Sequence, residues 1–222
     1  PGVRFADFAR AVKSREYRPT CGAGSGAASC KPLTGASVLS EAYRRGAWLV
    51  GLLVLQSASS VVLQRYESLV SRHVVVTVFL TMLVGAGGNV GNQSVIRVIE
   101  GLVTGEMPLT WHACAAEAGR QLAVGLLLAA VLSAAAFARV AATQAGRSKR
   151  RVEECAAVAS SLFTIVVSSA VLGAALPFAL AKAGLDPAHA GTTIQVLMDL
   201  LGVAVTCATC AAVLAAAPAA LA

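Results

Sequence analysis

One carboxylate, Asp199, stands inside a long apolar run, "TTIQVLMDLLGVAV", with no other charged residue on that run. Thr192, Gln195, Asp199, Gly202, Thr206 and Thr209 follow one another at alternating steps of three and four, so on a helix they form one polar and small stripe. A second set of oxygen donors lies at residues 85 to 94, "GAGGNVGNQS", directly after the apolar "VVVTVFLTMLV". It holds Gly85, Gly87, Gly88 and Gly91 together with Asn89, Asn92 and Gln93. Carboxylate, amide and bare carbonyl oxygens are ligands for a hard cation or for the water it carries. A soft metal would want thiolates or imidazoles, yet His73, His112 and His189 all fall near the ends of apolar runs. Cys21, Cys30, Cys114, Cys155, Cys207 and Cys210 show neither zinc nor disulfide spacing, and the Cys207-x-x-Cys210 pair inside an apolar run reads as small packing residues.

The glycine-rich stretch has two competing explanations. A dinucleotide turn fails on register: with Gly85 and Gly87 as the first two glycines the third belongs at Val90, and no strand and helix alternation follows. Close helix packing through Gly87-x-x-x-Gly91 accounts for two glycines and leaves Gly85, Gly88 and the amides over. Each glycine inside a helix costs about 1 kcal/mol relative to Ala, and unpartnered amides in hydrocarbon cost more. The expectation is a helix that opens here, buried in protein or lining a wet cavity.

The elements that must position these groups follow from composition. With 57% hydrophobic and 13% charged residues and a mean hydropathy of +0.73, the 222-residue chain belongs to the membrane class. The net charge of +7 sits at the ends of apolar runs and makes no basic face interleaved with aromatics, which excludes a nucleic-acid partner and points to headgroup anchors. Five runs are long enough to cross a hydrocarbon core that needs about 20 helical residues: 46–65, 73–99, 115–139, 154–183 and 188–217. The predicted fold is an all-α, multi-pass integral membrane protein of five transmembrane helices, the second interrupted by the glycine-rich segment, in a plasma or organelle membrane. Residues 1–45, basic and rich in Gly, Ser and Ala, read as a disordered or targeting segment of a longer product; 46–222 form the membrane domain. Asp186 is a natural N-cap and Pro187 suits the first helical position of the last span. Asp199 then lies about 18 Å along that helix, where a carboxylate costs about 2.5 to 3.5 kcal/mol and must face protein or water. Arg97 with Glu100, and Glu117 with Arg120, are expected as interfacial ion pairs along single helices.

The block "GAGGNVGNQSVIRVIEGLVTGEM", with "LPFALAKAGLDPA" ahead of the Asp199 helix, resembles the transmembrane domain of MgtE-type magnesium channels and their eukaryotic solute-carrier relatives. The resemblance covers residues 46–217. It implies a non-enzymatic transporter: a dimeric five-helix domain whose central path is lined by the second and fifth spans, with Mg²⁺ as the transported ion and no resident cofactor. On that pattern Asp199 matches the selectivity carboxylate, and Gly85, Gly88 and Asn89 fall on the part of the second helix that lines the path. Asp199 and Asn89 are the metal-facing candidates, and Gly85, Gly87, Gly88, Gly91, Gln93, Thr192, Gln195 and Gly202 are expected to line the pore. The chain departs from the family's usual Thr-Thr pair near this aspartate, having Gln195 and Val196, and its loop from Asp186 is one residue shorter. Mg²⁺ sheds water reluctantly, so two Asp199 carboxylates across a dimer axis would attract the hydrated ion while amide and carbonyl oxygens hold its waters. An ion-coupled carrier, and a non-transporting half that pairs with a sister five-helix domain, are the alternatives. Family topology puts Arg44 and Arg45 inside and "RSKRR" at 147–151 outside, against the usual bias of basic loops to the cytoplasmic side.

Overall fold

The computed structural model describes residues 38–143 and 151–216. Five helices in it are long and apolar enough to span a membrane. They are α1 (Val38–Arg65), α3 (Val74–Thr104), α4 (Trp111–Thr143), α5 (Arg151–Lys182) and α6 (Ala190–Ala216); α2 (Glu67–Arg72) is a short connector with no buried residue. The protein is an all-α, multi-pass integral membrane protein. Most of the leading segment and the 144–150 part of the basic loop lie outside the described residues. One boundary moves: α1 begins at Val38, so residues 38–45, assigned by composition to the leading segment, form its first two turns. Leu39, Glu41, Ala42, Arg44 and Arg45 are good helix formers, which favours that extension.

The helix ends obey local chemistry. Gly105 takes a left-handed φ of 76° after α3, and Met107 N–H returns to Gly101 O at 2.9 Å. Thr110 Oγ1 accepts from Ala113 N–H at 3.2 Å and caps α4. Gly184, φ 74°, closes α5 with Leu185 N–H on Leu180 O at 2.9 Å, the 6→1 bond of a Schellman turn. Asp186 accepts from Ala188 N–H at 2.9 Å with Pro187 in the first position, as the sequence predicts, and a single 3₁₀ turn leads into α6.

Helix α5 is the hub: α3, α4 and α6 all pack on it, and α3 also packs on α6. The main core joins Val76, Phe79 and Leu83 of α3, Val140 of α4, Leu162, Ile165 and Val166 of α5, and Cys210 of α6. Gly125 lets α4 approach until its added Cβ would lie 2.8 Å from Ala170 Cβ, and Ala129 is fully buried there. Small residues on α4 therefore serve packing within the chain. Helix α1 is peripheral, resting chiefly on α6, with Leu52 its only buried hydrophobic among the described residues. Its Trp48 ring stacks on His189 at 4.5 Å.

The expected break in the second span is absent. Helix α3 runs unbroken from Val74 to Thr104, and no residue between 85 and 94 has positive φ. The glycines are consumed by close approach instead. A Cβ on Gly87 would lie 2.5 Å from Ile165 Cγ2, and one on Gly91 would lie 2.6 Å from both Ile194 Cγ1 and Ser169 Oγ. A Cβ on Gly173 of α5 would stand 3.0 Å from Gly91 Cα, so two glycines meet where α3 and α5 cross. The helical penalty of these glycines is offset by contacts that a side chain would forbid.

Candidate ion-binding site

Asp199 is half-buried near the middle of α6. Its Oδ1 accepts from Gln195 Nε2, one turn earlier, at 3.2 Å. Its Oδ2 accepts from Gln56 Nε2 of α1. Two amide donors thus hold a carboxylate that hydrocarbon would otherwise leave at a cost of several kcal/mol. Gln195 reaches this position because Gly88 of α3 lies against its amide: an added Cβ would stand 2.6 Å from Gln195 Cδ and closer to both amide heteroatoms. Gly88 makes room for Gln195, and Gln195 fixes Asp199.

Gln56 is the residue sequence reasoning missed. It is the one amide in the apolar "GLLVLQSASSVV", and that isolation was the available signal. Beside it, a cavity of about 490 Å³ between α1 and α6 is lined by Gly46, Leu49, Leu53, Gln56, Thr192 and Gln195, among others.

The structure divides the remaining candidates. Thr192 is exposed on the cavity side, whereas Gly202 and Thr206 are buried; a Cβ on Gly202 would lie 3.0 Å from Val84 Cγ2 of α3. Gly87, Gly91 and Gly202, expected on the path, lie inside helix crossings because each lets a neighbouring helix come closer than Ala would. The Gly87 carbonyl is occupied by Ser169 Oγ of α5. Gly85 has nothing within 4 Å of an added Cβ, and Asn89 and Asn92 are exposed. Steps of four and three put Gly85, Asn89 and Asn92 on one open face of α3. Asn92 Oδ1 lies 3.1 Å from an added Cβ on Gly191, beside the start of α6. Gln93 lies elsewhere, in a groove between α3 and α4 with Arg97, Arg120 and Gln121.

Of the two expected ion pairs, one forms and one changes partner. Arg97 Nε donates to Glu117 Oε1 across helices at 3.0 Å rather than turning to Glu100. The expected pair of Glu117 with Arg120 forms along α4, Arg120 Nη1 lying 3.8 Å from Glu117 Oε2. Glu117 is buried and also accepts from Gln121 Nε2 at 2.8 Å, so a carboxylate twenty residues from Arg97 outcompetes the exposed one three residues away. Among the described residues no three His, Cys, Asp or Glu side chains gather, so one chain brings a single carboxylate and several neutral oxygens to the Asp199 site. That donor set suits a cation that keeps its water.

A family model described as MgtE, divalent cation transporter, matches residues 80–209, which takes in α3 from its second turn through Asp199 and beyond. The chain belongs to the MgtE family. The magnesium transporter MgtE of Thermus thermophilus is 32% identical over 157 residues, 70% of this chain and 33% of that protein. The Bacillus subtilis magnesium transporter MgtE is 32% identical over 161 residues, 72% of this chain and 34% of its own. The Enterococcus faecalis protein of the same name is 26% identical over 166 residues, 74% and 35% respectively. The chain thus spans about a third of the length of these MgtE relatives.

Proposed function

We propose that this chain forms the membrane path of a divalent-cation transporter and that Mg²⁺ is its cargo. The observation that carries this is Asp199, a carboxylate at mid-helix depth presented by Gln56 and Gln195 in a unit of the MgtE family. Amide donors hold the carboxylate aimed, and the same amides turned over offer oxygens to the waters of an arriving ion. A hydrated Mg²⁺ that retains its shell needs outer carboxylate and carbonyl contacts more than direct ligands, and this site supplies them.

The path closes through a second copy of the chain. Asn89 and Asn92 are exposed on a membrane-spanning helix, where unpartnered amides facing lipid are unfavourable by several kcal/mol. A two-fold partner applied to that face would cover them and bring two Asp199 carboxylates and two Asn89 amides toward one axis. A partner formed by a sister five-helix domain would meet the same requirement. The unbroken α3 takes away the broken-helix argument for alternating access, which leaves a pore as the simpler mechanism.

The test is flux into liposomes that hold only this chain. Mg²⁺ entry above protein-free liposomes, without dependence on a counter-ion gradient, is expected. No divalent flux from folded, reconstituted protein would refute the proposal.

A further inference from the structure

Helix α4 runs along α5 and barely touches α3, so α3 and α4 stand apart on the same hub and leave a lateral groove of about 270 Å³. Its polar end holds Arg97 and Arg120, whose side chains are 46% and 54% exposed beside a Glu117 that is 8% exposed. One carboxylate answers two guanidinium groups, so the groove keeps an excess positive charge. Arg97 spends its Nε–H on Glu117, and Arg120 stays at 3.8 Å; among the described residues most of their ten N–H donors have no protein acceptor at bonding distance. Glu100, one turn further out, is exposed and does not line the groove.

Depth and shape narrow the ligand. Helices of 31 and 33 residues overhang a core about 30 Å thick by roughly 8 to 10 Å at each end. Arg97, seven residues before the end of α3, and Arg120, nine residues into α4, therefore sit about 10 to 14 Å from their helix ends, at or just inside the headgroup boundary. Trp111, exposed with Lys182 Nζ 5.3 Å from its ring centroid, marks the headgroup level at the same end. Toward the bilayer centre the groove lining turns apolar, through Val90, Val124 and Leu128. A helix with side chains is about 10–12 Å across, so one turn of a partner helix already exceeds the groove.

We propose that this groove is a binding site for an anionic phospholipid, with its phosphate on Arg97 and Arg120 and one acyl chain along Val90, Val124 and Leu128. Planar guanidinium groups match phosphate oxygens, and a lipid of net negative charge answers the excess that a zwitterionic one leaves. The site stands apart from the Asp199 path, so its test does not depend on transport.

The experiment is native mass spectrometry of the purified chain in mild detergent with phosphatidylglycerol or phosphatidylcholine of matched acyl chains. The expected result is a preference for phosphatidylglycerol of about tenfold, since hydrogen bonds to charged groups are worth at least one decade in affinity. Arg120→Gln should reduce that preference to about twofold or less, and Arg120→Lys should retain part of it. Arg139→Gln, on the exposed far end of α4, should leave it intact. Val124→Trp, which fills the apolar end, should lower retention of both lipids. Equal retention of the two lipids by the unmodified chain, or a preference unchanged in Arg120→Gln, would overturn the proposal. So would release of the lipid by millimolar inorganic phosphate, which would assign the groove to a soluble anion, or an efficient disulfide between two copies carrying Gln93→Cys, which would assign it to a second chain.

Discussion

Replacing Gly173 by Ala sets two opposed effects against each other at the α3 and α5 crossing. Ala in place of Gly favours an isolated helix by about 1 kcal/mol. Against that, the new Cβ would stand 3.0 Å from Gly91 Cα and from its carbonyl carbon, and nearer still to the oxygen. Ordinary carbon contacts need about 3.5 to 4.0 Å, so the two backbones must part by roughly 0.5 to 1 Å. A gap of that size forfeits about a quarter to a half of each contact it opens, and the crossing adjoins the fully buried Val166, Ala170 and Ala174. Overpacking costs about 1 to 3 kcal/mol, and with backbone rather than a flexible side chain as the obstacle the upper part of that range, about 2 to 3 kcal/mol, applies. The net expectation is a loss of about 1 to 2 kcal/mol, or a melting temperature lower by roughly 2 to 8 °C. Gly85→Ala meets nothing within 4 Å and should gain up to about 1 kcal/mol. Thermal unfolding of both variants in one detergent measures the difference. If Gly173→Ala melts with the parent, or Gly85→Ala is as damaging as Gly173→Ala, the glycines are not there for helix crossing.

Three further outcomes follow from the same geometry. Glu117→Gln should destabilise by about 1 to 3 kcal/mol, below the cost of breaking a fully buried pair because Arg97 and Arg120 are half-exposed, while Glu100→Gln should stay within about 0.5 kcal/mol; melting curves compare them. Asn89→Cys, in a chain with Cys21 and Cys30 changed to Ser, should crosslink to a second copy in membranes, since Cys114, Cys155, Cys207 and Cys210 are buried; a strictly monomeric product would contradict the paired path. Gln56→Leu removes a donor that aims Asp199 and an oxygen offered to the ion's waters, so half-saturating Mg²⁺ for flux should rise, and a fall would show that Gln56 instead competes with the ion for the same Asp199 oxygen.

The sequence made the spans, the Asp186 and Pro187 start of the last helix and the depth of Asp199 legible, because these depend on local composition and on helical spacing. The glycine-rich stretch misled because the helical penalty of a glycine is visible in its own segment while its compensation is not. Ile165, Ser169 and Gly173, which accept the close approach, lie some eighty residues further along the chain. Arg97 shows the same limit: spacing points to Glu100, and burial hands the guanidinium to Glu117. Gln56 and Asp199 are 143 residues apart, and only the docking of α1 on α6 brings their side chains together.

The central claim rests on the charge of Asp199, and Asp199→Asn in liposomes tests it most directly. The substitution is nearly isosteric, and either Gln56 or Gln195 can turn its amide to accept from the new NH₂, so the local hydrogen bonds survive. Hydrogen bonds inside membranes are worth about 0.6 kcal/mol on average, and a neutral group is cheaper to hold there, so folding should be retained. The account predicts a folded variant that loses Mg²⁺ flux or its discrimination against monovalent ions, with Asn89→Ala showing a milder loss. A folded Asp199→Asn chain with unchanged Mg²⁺ uptake and unchanged selectivity would contradict it.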